Sequence, residues 1–156
     1  MFREMRRLKQ QISEQECVEI LQNEPRGVMA VYGEDGYPYA FPMNHIYLDG
    51  KLYFHGAKEG HKLDALAMND KVSFTVMDQG FRKDGEWALN IKSVILFGRV
   101  RKIEDMAETE ELVRKLALKY YPTPESVEEG IRKSITRVQM LELTIDHMTG
   151  KLVNES

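Results

Sequence analysis

RGVMAVYGEDGYPYAFPMNHIYLDGKLYFH, residues 26–55, sets the architecture. Val28-Met29-Ala30-Val31-Tyr32 is an apolar run suited to a strand, and Glu34-Asp35-Gly36 supplies a turn whose glycine accepts positive φ. Tyr37 to Leu48 reads as the return strand, although Pro38 and Pro42 cannot donate to a sheet ladder. Such a strand belongs at an edge, at a bulge, or where its backbone is left free for a ligand. Asp49-Gly50 turns the chain again, into Lys51-Leu52-Tyr53-Phe54-His55. Three antiparallel strands in succession are therefore expected, the start of a meander.

Upstream, Ser13-Glu14-Gln15-Glu16 forms a capping-box pattern, and Cys17, Val18, Ile20 and Leu21 follow at helical spacing. A short amphipathic helix is expected, ending near Asn23 before Pro25. Downstream, residues 56–62 form a glycine-containing basic loop that leads into a short helix carrying Leu63, Leu66 and Met68. Lys71 to Asp78 reads as a strand, Gln79 to Asn90 as a long loop, and Ile91 to Glu104 as a long strand centred on Val94-Ile95-Leu96-Phe97. Asp105 to Tyr121 is helical by pattern, broken by Pro122 and Pro124, and a second short helix is expected over residues 125–132. Leu141, Leu143 and Ile145 alternate in a last strand over residues 134–147.

About six strands joined by tight turns, with helices before, between and ahead of the last, give a mainly β chain with helices. The expected form is a small antiparallel barrel, because closure hides strand edges that this sequence does little to blunt. The 156 residues fit one domain, 1–156, with a basic arm over residues 1–12 that is solvated or faces a partner. A chain of this length buries roughly 70% of its unfolded surface and needs neither disulfide nor metal.

Charge and composition exclude several functions. With 22 Lys+Arg against 25 Asp+Glu the formal net charge is −3, opposite to that of a dedicated nucleic-acid binder. No apolar run, neither Val28 to Tyr32 nor Val94 to Phe97, approaches the length of a membrane helix, and the N-terminus has no signal-peptide core. One cysteine, Cys17, makes no internal bridge and points to a reducing cytoplasm. His45, His55, His61 and His147 lack zinc spacing, so no metal site is expected. Walker A, GxSxG and GxGxxG patterns are all missing.

Loop 55–62 is the strongest candidate for chemistry. It gathers His55, Gly56, Lys58, Gly60, His61 and Lys62 ahead of a helix N-terminus, where backbone N–H groups and ammonium charge together suit a phosphate. The same residues also fit an ordinary polar connection with solvated lysines. Phe41-Pro42-Met43-Asn44-His45 offers unpaired backbone groups to the polar edge of a flat heterocycle, with Phe41 and Met43 as apolar contacts. Ser93 is either a hydroxyl ligand or a plain strand serine.

Five blocks in register carry a resemblance. RGVMAV (26–31), YPYAFPMN (37–44), YFHGAKEGHKLD (53–64), KSVILFGR (92–99) and IDHMTGK (145–151) resemble the nitroimidazole-resistance (Nim-type) branch of the pyridoxamine 5′-phosphate oxidase-like flavoproteins. The resemblance covers roughly residues 5 to 151. It implies a flavin-reductase-like split β-barrel that binds FMN, with FAD as a variant, at a homodimer interface. It implies flavin phosphate on Gly56, Ala57, Lys58, Gly60, His61 and Lys62 with help from Ser93 and Val94, and the isoalloxazine against Pro42, Met43 and Asn44. It implies His55 as the catalytic residue beside the flavin. The function that follows is transfer of electrons from a reduced donor through FMN to a small, nitroaromatic-type acceptor. The alternative is a non-catalytic flavin- or haem-binding module, with His45, His55 or His61 as haem ligands.

Overall fold

The computed structural model describes residues 1–121 and 123–156. Ser13 caps the first helix, α1 (Glu14–Asn23), by accepting from the Glu16 N–H at 3.1 Å. Seven strands follow, one more than the sequence suggests: β1 (Arg26–Tyr32), β2 (Pro38–Asn44), β3 (Ile46–Leu48), β4 (Lys51–Ala57), β5 (Lys71–Met77), β6 (Asn90–Lys102) and β7 (Val138–Asn154). α2 (His61–Met68) joins β4 to β5, while α3 (Met106–Tyr120) and α4 (Pro124–Ser134) lie between β6 and β7.

All seven strands form one antiparallel sheet in the order β2-β1-β5-β6-β7-β4-β3. The expected meander is therefore broken at His45. Residues 38–48 make two strands, β2 at one sheet edge and β3 at the other, and the chain crosses the mouth of a curled half-barrel between them. β1 and β2 close a hairpin at Gly36 (φ +85°). Asp49 and Gly50, both at positive φ, form the type I′ turn between β3 and β4. β7 runs seven residues past the expected end at His147, because its outward Thr149 and Lys151 carry no apolar signal.

The curl comes from the long β6–β7 pair. Their register shifts at Phe97/Gly98, where Phe97 faces His147 and Gly98 faces Ile145, leaving Asp146 as the extra residue of a bulge. Inside the curl, α1 sets Cys17, Ile20 and Leu21 against Met29, Phe54, Phe74, Leu96 and Leu143. A smaller cluster of Ile103, Leu112, Leu116 and Met140 fastens α3 beside β4 and β7.

The break at His45 leaves backbone groups that the sheet does not pair, and the end of α3 satisfies them. The His45 N–H donates to the Tyr120 hydroxyl at 2.8 Å, and that hydroxyl's one hydrogen lies within reach of both the His45 and the Pro25 carbonyl. Lys119 Nζ donates to the carbonyls of Glu24 (2.8 Å) and His45 (2.9 Å), and burial lowers its pKa to about 8. Tyr120→Phe would strip one hydroxyl from several partly buried groups at once. About 1–3 kcal/mol of stability should be lost, read as a lower midpoint in urea with an unchanged slope.

Among the described residues, no helix is long and apolar enough to cross a membrane. The basic arm is not free. Phe2 stacks on His147 (4.7 Å between centroids) and on Phe97 (5.6 Å), and the Ile12 N–H donates to the Gly150 carbonyl.

Candidate functional site

The loop after β4 is built as an open cradle. Gly60 adopts φ +138°, a region closed to most side chains, and caps α2 with no side-chain hydrogen bond to the first turn. No atom lies within 4 Å of where a Cβ would stand on Gly56 or Gly60. The leading N–H groups of α2 are left without a side-chain cap in an open loop, the local form of an anion site. His61 stacks on Tyr39 at 4.0 Å, and Lys62 Nζ lies 4.9 Å from the centre of the Phe41 ring. These contacts tie the cradle to edge strand β2, while Lys58 stays exposed.

On β2 the structure corrects one expectation. Phe41 and Met43 point into the core, 6% and 7% exposed, so neither side chain is presented outward. Pro42 is exposed, Asn44 is half-buried, and the edge of β2 facing away from β1 has no strand partner. The Asn44 Oδ1 accepts from Arg26 Nε at 3.3 Å, leaving the amide nitrogen as its free donor among the described residues.

His55 sits on β4 opposite Met140. With Asn44 it lines a cavity of about 170 Å³ roofed by α3 and α4, whose walls include Val113, Leu116, Val127 and Ile131. Although the residue as a whole is exposed, desolvation of its ring lowers the His55 pKa, so the imidazole is neutral at pH 7. Neither ring nitrogen has a hydrogen-bond partner among the described residues. The sequence alone does not reveal this roof, since α3 lies some sixty residues downstream of His55.

His45 is excluded as a ligand to an external group. It is fully buried, its Nε2 lies 2.8 Å from the Leu21 carbonyl, and its ring meets Phe74 edge-on. Burial and the nearby Lys119 charge push its pKa down to about 4.

Ser93 and Val94 are not near the cradle. Ser93 pairs with Lys151 near one end of β7, whereas Ala57 pairs with Val138 at the other. Thirteen residues separate those two positions, about 40 Å along an extended strand. Val94 is wholly buried and presents no side chain outward. Ser93 instead opens on a pocket of about 430 Å³ with Ile95, Thr149, Lys151 and, from the docked arm, Arg6 and Arg7. The arginines' part there is missed by sequence reading, because nothing in residues 1–12 shows where the arm lies.

The outer face of the sheet around Ser93 mixes exposed apolar side chains with threonines and serines. Val28, Thr75, Ile95 and Thr149 lie in one row across β1, β5, β6 and β7, and Met77 and Phe97 flank that row on the same face. Val28, Met77, Ile95 and Phe97 are all exposed.

Residues 13–152 match the family model described as pyridoxamine 5′-phosphate oxidase. No curated protein matches the chain significantly. Among solved structures, a proposed 5-nitroimidazole antibiotic resistance protein from Bacteroides thetaiotaomicron is 23% identical with a TM-score of 0.77, the match covering 92% of this chain and 87% of that one. An FAD and heme binding protein from Mycobacterium smegmatis is 24% identical with a TM-score of 0.75, over 94% of this chain and 74% of that one. An FAD-binding protein from Mesorhizobium loti is 22% identical with a TM-score of 0.67, over 92% and 96%. At these identities the likeness shows the fold, the split barrel of flavin reductases.

Proposed function

The chain belongs to the pyridoxamine 5′-phosphate oxidase family, and from that premise we propose that it is a flavin-dependent oxidoreductase. It passes electrons from a reduced donor through FMN to a small acceptor, of which nitroaromatics are one class. The observation that carries this reading is the open cradle at Gly56 to Lys62: an uncapped helix N-terminus and two glycines with empty space above them, in a loop that also carries Lys58 and Lys62. One such cradle suits the phosphate of FMN. When bound, the flavin supplies the redox chemistry.

The chain's own residues bind and orient it. Loop 56–62 holds the phosphate, and the free edge of β2 at Pro42 to Asn44 addresses the ring's polar rim. His55, neutral at pH 7, stands where it can accept or return a proton beside the reacting ring. Ser93 cannot join the same site within one chain, and the exposed apolar face beside it supplies the solution. Two copies pack through the outer faces of β1, β5, β6 and β7, and the cradle of one meets Ser93 of the other. A homodimer with the flavin at its interface accounts for both features. A reducing cytoplasm fits the single Cys17, which lies buried under Gly150.

Purified protein is expected to be yellow, and the chromophore released on denaturation to have the mass of FMN. Protein that is colourless and takes up no flavin on reconstitution would remove the proposal, and a Soret band in place of flavin absorption would favour haem. Lys62→Ala should weaken FMN binding by about tenfold to a hundredfold, the cost of a charge-assisted hydrogen bond. For Ser93→Ala, with a neutral hydroxyl lost, about fivefold is expected. Fluorescence titration of flavin-stripped protein reads both; unchanged dissociation constants would move the phosphate elsewhere.

A further inference from the structure

We propose that the cavity between His55 and the α3–α4 pair binds one uncharged, single-ring organic molecule, and that Gly130 sets how large that ring can be. Its volume, about 170 Å³, is close to that of engineered apolar cavities that take up benzene. Val113, Leu116, Val127 and Ile131 make its helical walls largely apolar, and among the described residues no charged side chain lines it. An ion entering would lose hydration without a counter-charge, so the occupant is neutral. Polar residues also line it: the Ser134 and Tyr120 hydroxyls are taken up by the Gly130 and His45 carbonyls, while at the sheet end stand His55, with no hydrogen-bond partner among the described residues, and Asn44. The His55 imidazole offers a donor or an acceptor to one polar substituent on an otherwise apolar ring.

Gly130 gives the second line of evidence. It lies inside α4, where glycine costs about 1 kcal/mol relative to alanine, and a Cβ there would stand 3.3 Å from the Tyr121 ring, which also lines the cavity. A side chain at this position grows into the space the ligand needs. Across the roof, Arg114 on α3 bonds Glu128 on α4 through Nε (2.6 Å) and Nη2 (3.2 Å). As the acceptor pocket of an oxidoreductase, the cavity rests on the flavin reading above; as a binding site, it stands without it.

The test titrates toluene, and in parallel benzoate, into the full-length protein, as purified and after flavin removal. NMR follows the His55 ring and the Ile131 methyls, with His147 as a distant control. Toluene should shift His55 and Ile131 in both preparations and leave His147 in place, while benzoate should bind at least tenfold more weakly. Gly130→Leu should weaken toluene binding at least tenfold. Val113→Phe, which fills the cavity from α3, should do the same and serves if the glycine variant does not fold. No toluene shift at His55 and Ile131, equal binding of benzoate, or wild-type affinity in the folded variants would overturn the inference. Failure of the flavin reading looks different: a colourless protein whose toluene shifts persist.

Discussion

Gly98→Val should destabilise the fold by about 3 kcal/mol or more, the upper range for forcing a side chain into a packed interior. A Cβ at Gly98 would run into the Thr144 carbonyl oxygen and meet Leu143 Cδ2 at 2.7 Å. The first obstacle is backbone and cannot rotate away. The position is also the point where the β6–β7 register shifts and the sheet bends, so strand pairing on both sides of the bulge is disturbed together. The thermal midpoint should fall by more than about 5 °C for a chain of this size, with flavin uptake weakened because the bend sets the outer face. A variant as stable as the parent would show that the bulge does not hold the curl.

Acidification should remove about 3 kcal/mol of stability through His45 alone. Burial first, and the Lys119 charge second, hold its folded pKa at about 4, against the ordinary 6.5 that the unfolded chain recovers. Between those values the unfolded chain binds the extra proton and the folded chain does not. Stability is therefore complete above about pH 6.5, falls as pH drops toward 4, and changes no further from this source below that. Glu142 adds a loss on the acid side. Burial raises its carboxyl pKa, but the bonds from Arg101 and Lys51 outweigh this and hold it below the usual range, so its contribution disappears as the carboxylate protonates. Urea midpoints measured from pH 7.5 to 4 separate the two. His45→Gln keeps a donor for the Leu21 carbonyl and should flatten the slope from 6.5 to 5; an unchanged slope would assign the acid loss to other groups.

The same histidine shows where sequence reading ends. α1 is legible to the residue because its signals are local: a serine cap, a glutamate three residues on, and apolar side chains at helical spacing. The hairpin turns at Gly36 and Asp49-Gly50 are legible for the same reason. That residues 38–48 serve both edges of the sheet is not, because strand partnership depends on β5, β6 and β7 far downstream. The chain around His45 carries no mark of the break, and the groups that satisfy it, Lys119 and Tyr120, lie some 75 residues away. Of the candidate site, the cradle at 56–62 is readable as a local motif, glycines with basic residues before a helix. Its distance from Ser93 along β7 and the roof over His55 are tertiary facts. One hint of the roof was present: a glycine within an otherwise good amphipathic helix, at Gly130, where close approach by another group is the usual reason.

In the proposed homodimer the flavin site is shared, with the cradle from one copy and Ser93 from the other. Lys62→Ala and Ser93→Ala chains, each weak in FMN binding alone, test it when unfolded and refolded together. In a mixed dimer of a shared site, one interface pairs both altered residues and the other pairs both natural ones. Isolated mixed dimers should therefore bind one FMN per dimer with parental affinity. Mixed dimers in which both sites stay as weak as the single variants would contradict the account and place Ser93 outside the flavin site.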